Sequence, residues 1–437
     1  MKLINITLAL LSLANAGHQG VLASGLRTKG ASTSQRTRPR RLKKGGSDTD
    51  NQESTGEDPN DIIAQVFTTT NSNNQFRGNE VVMYNQMADG SLQLQGRFPT
   101  GGSGSGNLPT GGGPDPLGSQ GPLVAAGDFL LTVSALSGEV AVFRIEEFGL
   151  DRTNVISLGD QTFPVSVAVH DERIVYVLDA ANTGSVTGFK LSEEGELQLI
   201  ENSKRVLPGQ ELPFPPPIIP AASQVGFTED GKQLVVILKD APEFGGAFPG
   251  RILVFSVMED GSLSEEPVVN DIGTFQFSFV TIAREGRNYL VATDVIRDAV
   301  SSYEINSDGS LRTISQLVST EGQFAPCWIA GSGNFVYSAN LGSDSISSFR
   351  VHEDFSLSLV QSQAAFRFGG APLDLIATDE FLYQLFPGTG TVGVYELDQD
   401  GAMAFIGEFG GLEPFGNDVF GTPVGMAVVL KYKKNLG

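Results

Sequence analysis

The stretch VVMYNQMADGSL, residues 81–92, is typical of a β-strand, a tight Asp-Gly turn and the start of a second strand. Six variants of this stretch follow along the chain. They are VAVFRIEEFGL at 140, VTGFKLSEEGEL at 186, ILVFSVMEDGSL at 252, VSSYEINSDGSL at 300, ISSFRVHEDFSL at 346 and VGVYELDQDGAM at 392. Each places an aromatic residue three positions after a β-branched residue. The chain is therefore built from seven strand-turn-strand units.

The spacing of these units predicts the fold. The aromatic residues are Tyr84, Phe143, Phe189, Phe255, Tyr303, Phe349 and Tyr395, and half of their intervals are 46 residues. That is the length of one four-stranded propeller blade. Two more strand-like runs precede a typical motif, as PVSVAVH (164–170) and RIVYVLD (173–179) do. We therefore predict an all-β, seven-bladed β-propeller of four-stranded blades, with the aromatic residues packed between neighbouring blades.

The two ends of the repeat array predict how the ring closes. The first unit lacks an inner strand of its own, whereas the chain has one left over at its end, TPVGMAVVL (422–430). We expect this C-terminal strand to pair with QVFTTTN (65–71) and close the ring, because closure removes exposed sheet edges. The predicted domain spans residues 62–430, and a short tail follows at 431–437.

The N-terminal region predicts export. Residues 1–16 combine an early lysine, an apolar stretch and an Ala-Asn-Ala cleavage site, which is the pattern of a signal peptide. Residues 17–61 form a basic, then acidic, disordered tail or pro-segment, with the run RTRPRRLKK at 36–44. No later stretch is long enough to span a bilayer. We expect a secreted, extracellular protein.

Charge excludes two classes of partner. Residues 1–46 hold nine Lys or Arg and no acidic residue, so the rest of the chain holds 20 basic and 50 acidic residues, a net of −30. That field repels phosphate backbones and anionic lipid, so neither a nucleic acid nor a membrane is expected as a partner. The expected state is a monomer.

Several chemistries lack their motifs. Cys327 is the sole cysteine, which excludes an intrachain disulfide and favours a buried, inert thiol. Three histidines are too few for a His-rich zinc site, and no Walker loop, G-x-S-x-G or H-E-x-x-H motif occurs. No cofactor is expected, although the many carboxylates leave room for a calcium ion without a motif.

The repeat pattern resembles the lactonase family of seven-bladed propellers, which includes 6-phosphogluconolactonase-like and carboxymuconate-cyclising enzymes. The residues that carry this resemblance are TEDGKQLVVILKD (228–240), FVYSANLGSDSISSFRV (335–351) and EFLYQLFPGTGTVGVYELDQDGAM (380–403). It extends over about residues 62–430 and looks closest to a secreted branch with GSQGPLV (118–124) and PCWIA (326–330). The resemblance implies a secreted hydrolase acting on a sugar lactone or a related ester.

The expected catalytic residues of such enzymes are missing. The family places His and Arg on inner strands facing the central channel. Gln224, Trp328 and Asp374 stand where His is expected, and Cys327 and Leu373 stand where Arg is expected. Whether the protein is an enzyme therefore stays open.

A second hypothesis comes from the long loops. The alternative is a non-catalytic extracellular propeller that binds a glycan or a protein. The three long insertions, 99–122, 207–221 and 239–250, are predicted to share one face of the ring, where binding usually occurs.

The lactonase hypothesis assigns a catalytic or binding role to each of several residues. Asp374 is the candidate general base, Trp328 a stacking wall for a sugar-like ligand, and Gln224 a hydrogen-bond donor to the carbonyl oxygen. The other candidate ligand-binding residues lie near the predicted channel mouth, on inner strands or at the ends of second strands. They are Ser166, Ser278, Asp179, Asp294 and Asn340.

Overall fold

The structure is a computed structural model that describes residues 61–106, 108, 114–240, 242, 248–415 and 421–431. The predicted signal peptide, residues 17–60 of the tail and residues 432–437 lie outside the described residues. The described residues form 29 β-strands and a 3₁₀ helix at Leu341–Ser343. None of their helices is long and apolar enough to cross a bilayer.

The strands form seven antiparallel sheets, which are the predicted blades. Blade 1 contains β1 (Ile62–Thr69), β2 (Glu80–Met87) and β3 (Leu92–Pro99). Blade 2 contains β4 (Leu123–Ala126), β5 (Phe129–Ser134), β6 (Glu139–Ile145) and β7 (Leu150–Ser157). Blade 3 contains β8 (Pro164–His170), β9 (Ile174–Asp179), β10 (Ser185–Leu191), β11 (Leu197–Leu199) and β12 (Arg205–Val206). Blade 4 contains β13 (Ala222–Phe227), β14 (Gln233–Leu238), β15 (Arg251–Ser256) and β16 (Val268–Asp271).

The remaining blades follow the same order. Blade 5 contains β17 (Gln276–Arg284), β18 (Arg287–Asp294), β19 (Ala299–Ile305) and β20 (Leu311–Ser319). Blade 6 contains β21 (Pro326–Ser332), β22 (Phe335–Asn340), β23 (Ser345–Val351) and β24 (Leu357–Phe366). Blade 7 contains β25 (Leu375–Ala377), β26 (Phe381–Phe386), β27 (Thr391–Leu397) and β28 (Met403–Phe409). The last strand is β29 (Val424–Leu430).

The predicted ring closure is confirmed. β29 pairs antiparallel with β1, with Ala427 opposite Phe67 and Val429 opposite Gln65. It thereby becomes the inner strand of blade 1, and all seven blades have four strands or more. The seven inner strands β29, β4, β8, β13, β17, β21 and β25 meet their neighbours in sequence around a central channel. Each inner strand therefore contributes side chains to that channel.

The repeated aromatic residues pack between blades, as predicted. All seven are buried. Tyr84 of blade 1 lies in one apolar cluster with Tyr383 and Leu385 of blade 7. Phe143 of blade 2 lies in another with Phe67 of blade 1. The blade-to-blade interfaces therefore supply much of the apolar burial that stabilises the ring.

The acidic turns define one face of the ring, which we name the turn face. In the first turn, Asp89 Oδ1 accepts hydrogen bonds from the Ser91 N–H (2.9 Å) and hydroxyl (2.6 Å). Gly90 between them has a φ of +81°, a conformation that glycine adopts at little cost. Phe355 holds this position in blade 6 with a φ of +63°, and its ring stacks on Tyr289.

The opposite face is the loop face, because successive strands alternate in direction. It carries the connections from each outer strand to the next inner strand and from each second strand to the third. The described parts of the three long insertions lie between β3 and β4, between β12 and β13 and between β14 and β15. They therefore belong to the loop face, as the sequence predicted.

Candidate functional site

Residues 118–121, which we name the crossing segment, span the channel near the loop face. The segment leads into β4 of blade 2, yet its Gln120 side chain pairs with Ile329 of blade 6. Gln120 Nε2 donates to the Ile329 carbonyl (3.0 Å), and the Ile329 N–H donates to Gln120 Oε1 (2.9 Å). One amide side chain thus takes the place of a strand partner across the ring.

Further hydrogen bonds fasten the crossing segment to blades 3, 4 and 6. The Ser119 hydroxyl donates to the Val165 carbonyl (2.7 Å), and the Gln120 N–H donates to the Ser223 carbonyl (3.1 Å). The Trp328 indole N–H donates to the Ser119 carbonyl (2.9 Å). These bonds satisfy the segment's buried polar groups, so it is a fixed part of the structure that divides the channel into two parts.

The part between the crossing segment and the turn face is a cavity of about 390 Å³, which we name the lower channel. Gln120, Gly121, Gln224 and Asp374 form its closed end. Its walls are apolar: Leu123, Val124, Ala125, Val167, Val225, Val280, Ile329, Ala330, Leu375, Ile376, Ala377, Met426, Ala427 and Val428. Along β25 the side chains change from buried to half-buried towards the turn face, where the lower channel opens.

Asp374 is the acidic residue at the closed end. It immediately precedes β25, the inner strand of blade 7. Its side chain is 3% exposed, and Oδ2 accepts the Gly425 N–H at 2.8 Å. Burial raises the pKa of Asp374 to about 8, although hydrogen bonds from Gly425 and Gly121 oppose this shift. The carboxyl group is therefore poised between its acid and base forms near neutral pH.

Gln224 also lies at the closed end. Its Nε2 donates to the Phe279 carbonyl (3.0 Å), and its Oε1 accepts the Phe279 N–H (2.7 Å). The side chain thus bridges the inner strands of blades 4 and 5. Since Nε2 carries two hydrogens, one N–H remains for a ligand.

Trp328 lies on the other side of the crossing segment and does not line the lower channel. It is 1% exposed, and its ring meets the edge of Phe277 with centroids 4.9 Å apart. Stacking of a lower-channel ligand on this ring would require the crossing segment to move.

The other sequence-predicted site residues line neither the lower channel nor a second, smaller cavity, of which Trp328 forms part of the wall. The Ser166 hydroxyl donates to the Gln120 carbonyl (2.8 Å), and Ser278 bonds to the Cys327 carbonyl. Asp179 Oδ1 accepts the Phe163 N–H at 2.8 Å. The structure thus brings Asp374 and Gln224 together and leaves these residues apart from them.

Asp294 accepts a backbone N–H, as Asp179 does, whereas Asn340 donates to side chains of the next strand. Asp294 Oδ1 accepts the Arg297 N–H at 3.0 Å, and burial raises its pKa to about 6. Asn340 Nδ2 donates to the hydroxyls of Ser345 (3.0 Å) and Ser347 (2.8 Å). The acidic and amide ends of the second strands therefore organise the loop face.

Gln120 and Lys239 were not predicted as site residues from the sequence. The Lys239 ammonium nitrogen donates to the Gly118 carbonyl. Lys239 had a detectable signal, because the equivalent position at the end of other second strands holds Leu178, Thr293 or Ala339. A lysine at a position that is otherwise apolar or small indicates a buried cation. Gln120 had no such signal, since it lies in a loop. In the described part of the chain, no three His, Cys, Asp or Glu side chains cluster as a metal site.

Comparisons with known proteins agree with this architecture. The family model described as "Lactonase, 7-bladed beta-propeller" matches residues 247–371. No curated protein matches the sequence. Together with the seven blades, the family match confirms the resemblance to lactonase-type propellers.

Solved structures show the same fold. A Lactobacillus plantarum protein is 19% identical with a TM-score of 0.62, and the match covers 85% of this chain and 100% of that one. The Pseudomonas aeruginosa periplasmic gluconolactonase is 17% identical with a TM-score of 0.59, over 84% and 99%. A proposed 6-phosphogluconolactonase of Bacteroides fragilis is 16% identical with a TM-score of 0.58, over 86% and 100%. At these identities the likeness concerns the fold alone.

Proposed function

We propose that the lower channel binds and hydrolyses a neutral lactone, with Asp374 as the residue that moves the proton. The observation that carries this proposal is a nearly buried carboxyl group at the closed end of a channel whose side walls are apolar. Carboxyl groups with perturbed pKa values in clefts are typical of catalytic sites. The lactonase-type fold adds support by analogy only.

The chemistry needs one acid-base group and water. Ionised Asp374 takes a proton from a water molecule, whose oxygen attacks the lactone carbonyl carbon. The ring C–O bond then breaks, and protonated Asp374 returns the proton to the leaving alkoxide, which gives a hydroxy acid. General-base help of this kind is worth about 10²–10⁴-fold in rate.

The residues that line the lower channel favour an unphosphorylated substrate. No Lys, Arg or His is among the lining residues of the lower channel in the described chain. A phosphate group would lack a cation there and would be repelled by ionised Asp374. The polar groups are confined to the closed end, so a lactone fits with its carbonyl near Gln224 and its less polar part towards the turn face.

The experiment compares three lactones on the full chain: glucono-δ-lactone, δ-decalactone and 6-phosphogluconolactone. We expect turnover of at least one neutral lactone and none of the phosphorylated one. Asp374→Asn should lose that turnover, whereas Asp379→Asn, an exposed carboxylate near the turn face, should keep it. A wild-type rate equal to buffer on every lactone contradicts the proposal. An unchanged rate in Asp374→Asn contradicts only the role of Asp374.

A second candidate function is binding of a glycan or protein on the loop face. Phe324 and Phe368 are 51% and 79% exposed. The segment 342–344 lies between them, because the Phe324 N–H bonds to Ser343 Oγ (2.6 Å) and the Gly369 N–H to Asp344 Oδ2 (2.8 Å). Two neighbouring exposed rings suit a sugar ring or an apolar protein surface. Loss of glycan-array or pull-down binding in Phe324→Ser/Phe368→Ser, with the lactone rate retained, would support this candidate.

Export is part of the proposal, since residues 1–16 have the pattern of a signal peptide. N-terminal sequencing of protein recovered outside the producing cell tests it. We expect a first residue at Gly17 or near Lys44, and an intact Met1 contradicts export.

A further inference from the structure

A second cavity, of about 70 Å³, lies on the loop-face side of the crossing segment. We name it the upper cavity. Its walls are mostly apolar and include Ile218, Phe275, Phe277, Val295 and Trp328. Three ionisable side chains, those of Asp115, Lys239 and Cys327, also line it. It is therefore an apolar chamber with a small polar region on its wall.

Lys239 supplies an unused hydrogen-bond donor in this wall. The residue is 1% exposed, and its Nζ donates to the Gly118 carbonyl. Nζ also lies 5.2 Å from the centre of the Phe277 ring. Among the described residues, the Gly118 carbonyl is the hydrogen-bond acceptor of Lys239 Nζ. No carboxylate of these residues lies within ion-pair distance of Nζ. Since an amine carries at least two N–H groups, one or more of them has no acceptor among the described residues.

The charge balance of the upper cavity favours a neutral ligand. Asp115 is buried, and its Oδ1 accepts the N–H groups of Leu117 (3.0 Å) and Gly118 (2.8 Å). Burial raises the pKa of Asp115 and lowers the pKa of Lys239, and each charge partly offsets the shift of the other. An anion would meet the Asp115 carboxylate, and a cation would meet the Lys239 ammonium.

We propose that the upper cavity is a second ligand site, for a small neutral molecule with an apolar body and a carbonyl oxygen that accepts an N–H from Lys239. Size sets the class of ligand. An apolar cavity of about 150 Å³ holds benzene, which has six heavy atoms, so a cavity of about 70 Å³ has room for about three or four. Acetone has this size and chemistry, and 2-methylpropene is the matched molecule without the carbonyl oxygen.

The test uses Trp328, which is the only tryptophan of the chain and lines the upper cavity. We expect acetone to shift the emission maximum of the full chain saturably, whereas 2-methylpropene should bind at least tenfold more weakly. Acetate should not bind. An emission maximum that moves with none of the three probes overturns the proposal.

Variants separate binding from folding. Lys239→Met keeps an unbranched apolar side chain but removes the donor, so the tenfold preference for the ketone should disappear. Lys232→Met, at a largely exposed lysine, should keep that preference. Val295→Phe fills the cavity without changing Lys239 and should abolish the shift of the emission maximum.

Ketone binding that is unchanged in a folded Lys239→Met overturns the proposal. If Lys239→Met does not fold, ketone binding retained in Val295→Phe overturns it. Neither result depends on lactone hydrolysis.

Discussion

The lower channel and the upper cavity lie on opposite sides of the crossing segment, and they differ in size and charge. The lower channel is about 390 Å³, opens on the turn face and carries a single carboxyl group, Asp374. The upper cavity is about 70 Å³ and carries an amine beside a carboxyl group. The crossing segment thus turns one propeller channel into two chemically different chambers.

The difference between the two chambers shows how a fold built from repeats can contain binding sites that are not repeated. The seven inner strands give the lower channel its apolar walls, whereas Ile218, Phe275 and Val295 of the upper cavity lie in the connections of the loop face. The ionisable residues come from places where the repeat is broken, such as Lys239 at the end of one second strand. In both chambers burial shifts the pKa values towards the neutral forms of the groups. Each chamber therefore favours an uncharged ligand.

The largest expected effect comes from removing the side chain that fastens the partition. Trp328→Ala should lower the free energy of unfolding by about 3–5 kcal/mol, because a fully buried ring is lost. Trp328→Phe keeps most of the ring but leaves the Ser119 carbonyl without its donor, so we expect a smaller loss of about 1–3 kcal/mol. Urea denaturation measures both variants. A free energy of unfolding unchanged in Trp328→Phe would contradict a role for the indole N–H, and equal losses in the two variants would contradict a contribution from ring packing.

Substitution of either glutamine at the closed end of the lower channel should lower the free energy of unfolding by a smaller amount. Gln120→Leu and Gln224→Leu each leave a backbone N–H and a carbonyl without a partner, so each should cost about 1–3 kcal/mol. Gln120 is bonded next to Trp328, at Ile329, whereas Gln224 is bonded to Phe279. We therefore expect the Trp328 emission maximum to shift in Gln120→Leu only. The same shift in both variants would show that the two sides of the partition are not independent.

The smallest expected effect is on the pH dependence of the free energy of unfolding. An acid whose folded-state pKa is raised stabilises the fold at low pH and loses that contribution as pH rises through its folded-state pKa. The pKa of Asp374 rises from 3.8 to about 8, so this contribution falls between those values. The loss is at most about 1.4 kcal/mol per pH unit.

Asp374→Asn removes this titration. Its free energy of unfolding relative to wild type should therefore increase from pH 6 to pH 7 by up to about 1.4 kcal/mol. Urea denaturation at the two pH values measures the change, and Asp379→Asn serves as the exposed control. A difference that stays constant with pH would mean that Asp374 is ionised throughout this range.

The fold was predictable because the sequence features that specify it recur in every blade. The seven aromatic positions, the acidic-Gly turns and the orphan strand at 422–430 follow one pattern, and β29 pairs with β1 as that pattern predicts. Asp374 and Gln224 were also predictable as channel-facing residues, since they occupy equivalent places in their repeats.

The division of the channel was not predictable. It depends on Gln120, a loop residue that bonds to Ile329, 209 positions away. The sequence contains no periodic signal for such a contact, because a loop has no fixed direction relative to the repeat. Trp328 consequently seemed to face a ligand, whereas the crossing segment covers it. Such contacts become visible only when the ring is closed.

The pH dependence of lactone hydrolysis tests the central claim, that the lower channel is a catalytic site built on Asp374. After subtraction of the buffer rate, wild-type kcat/KM for a neutral lactone should rise about tenfold per pH unit and level off near pH 8. Asp374→Asn should be about 10²–10⁴-fold slower and should lack this rise. A wild-type rate equal to the buffer rate at every pH, or the same profile in Asp374→Asn, would contradict the claim.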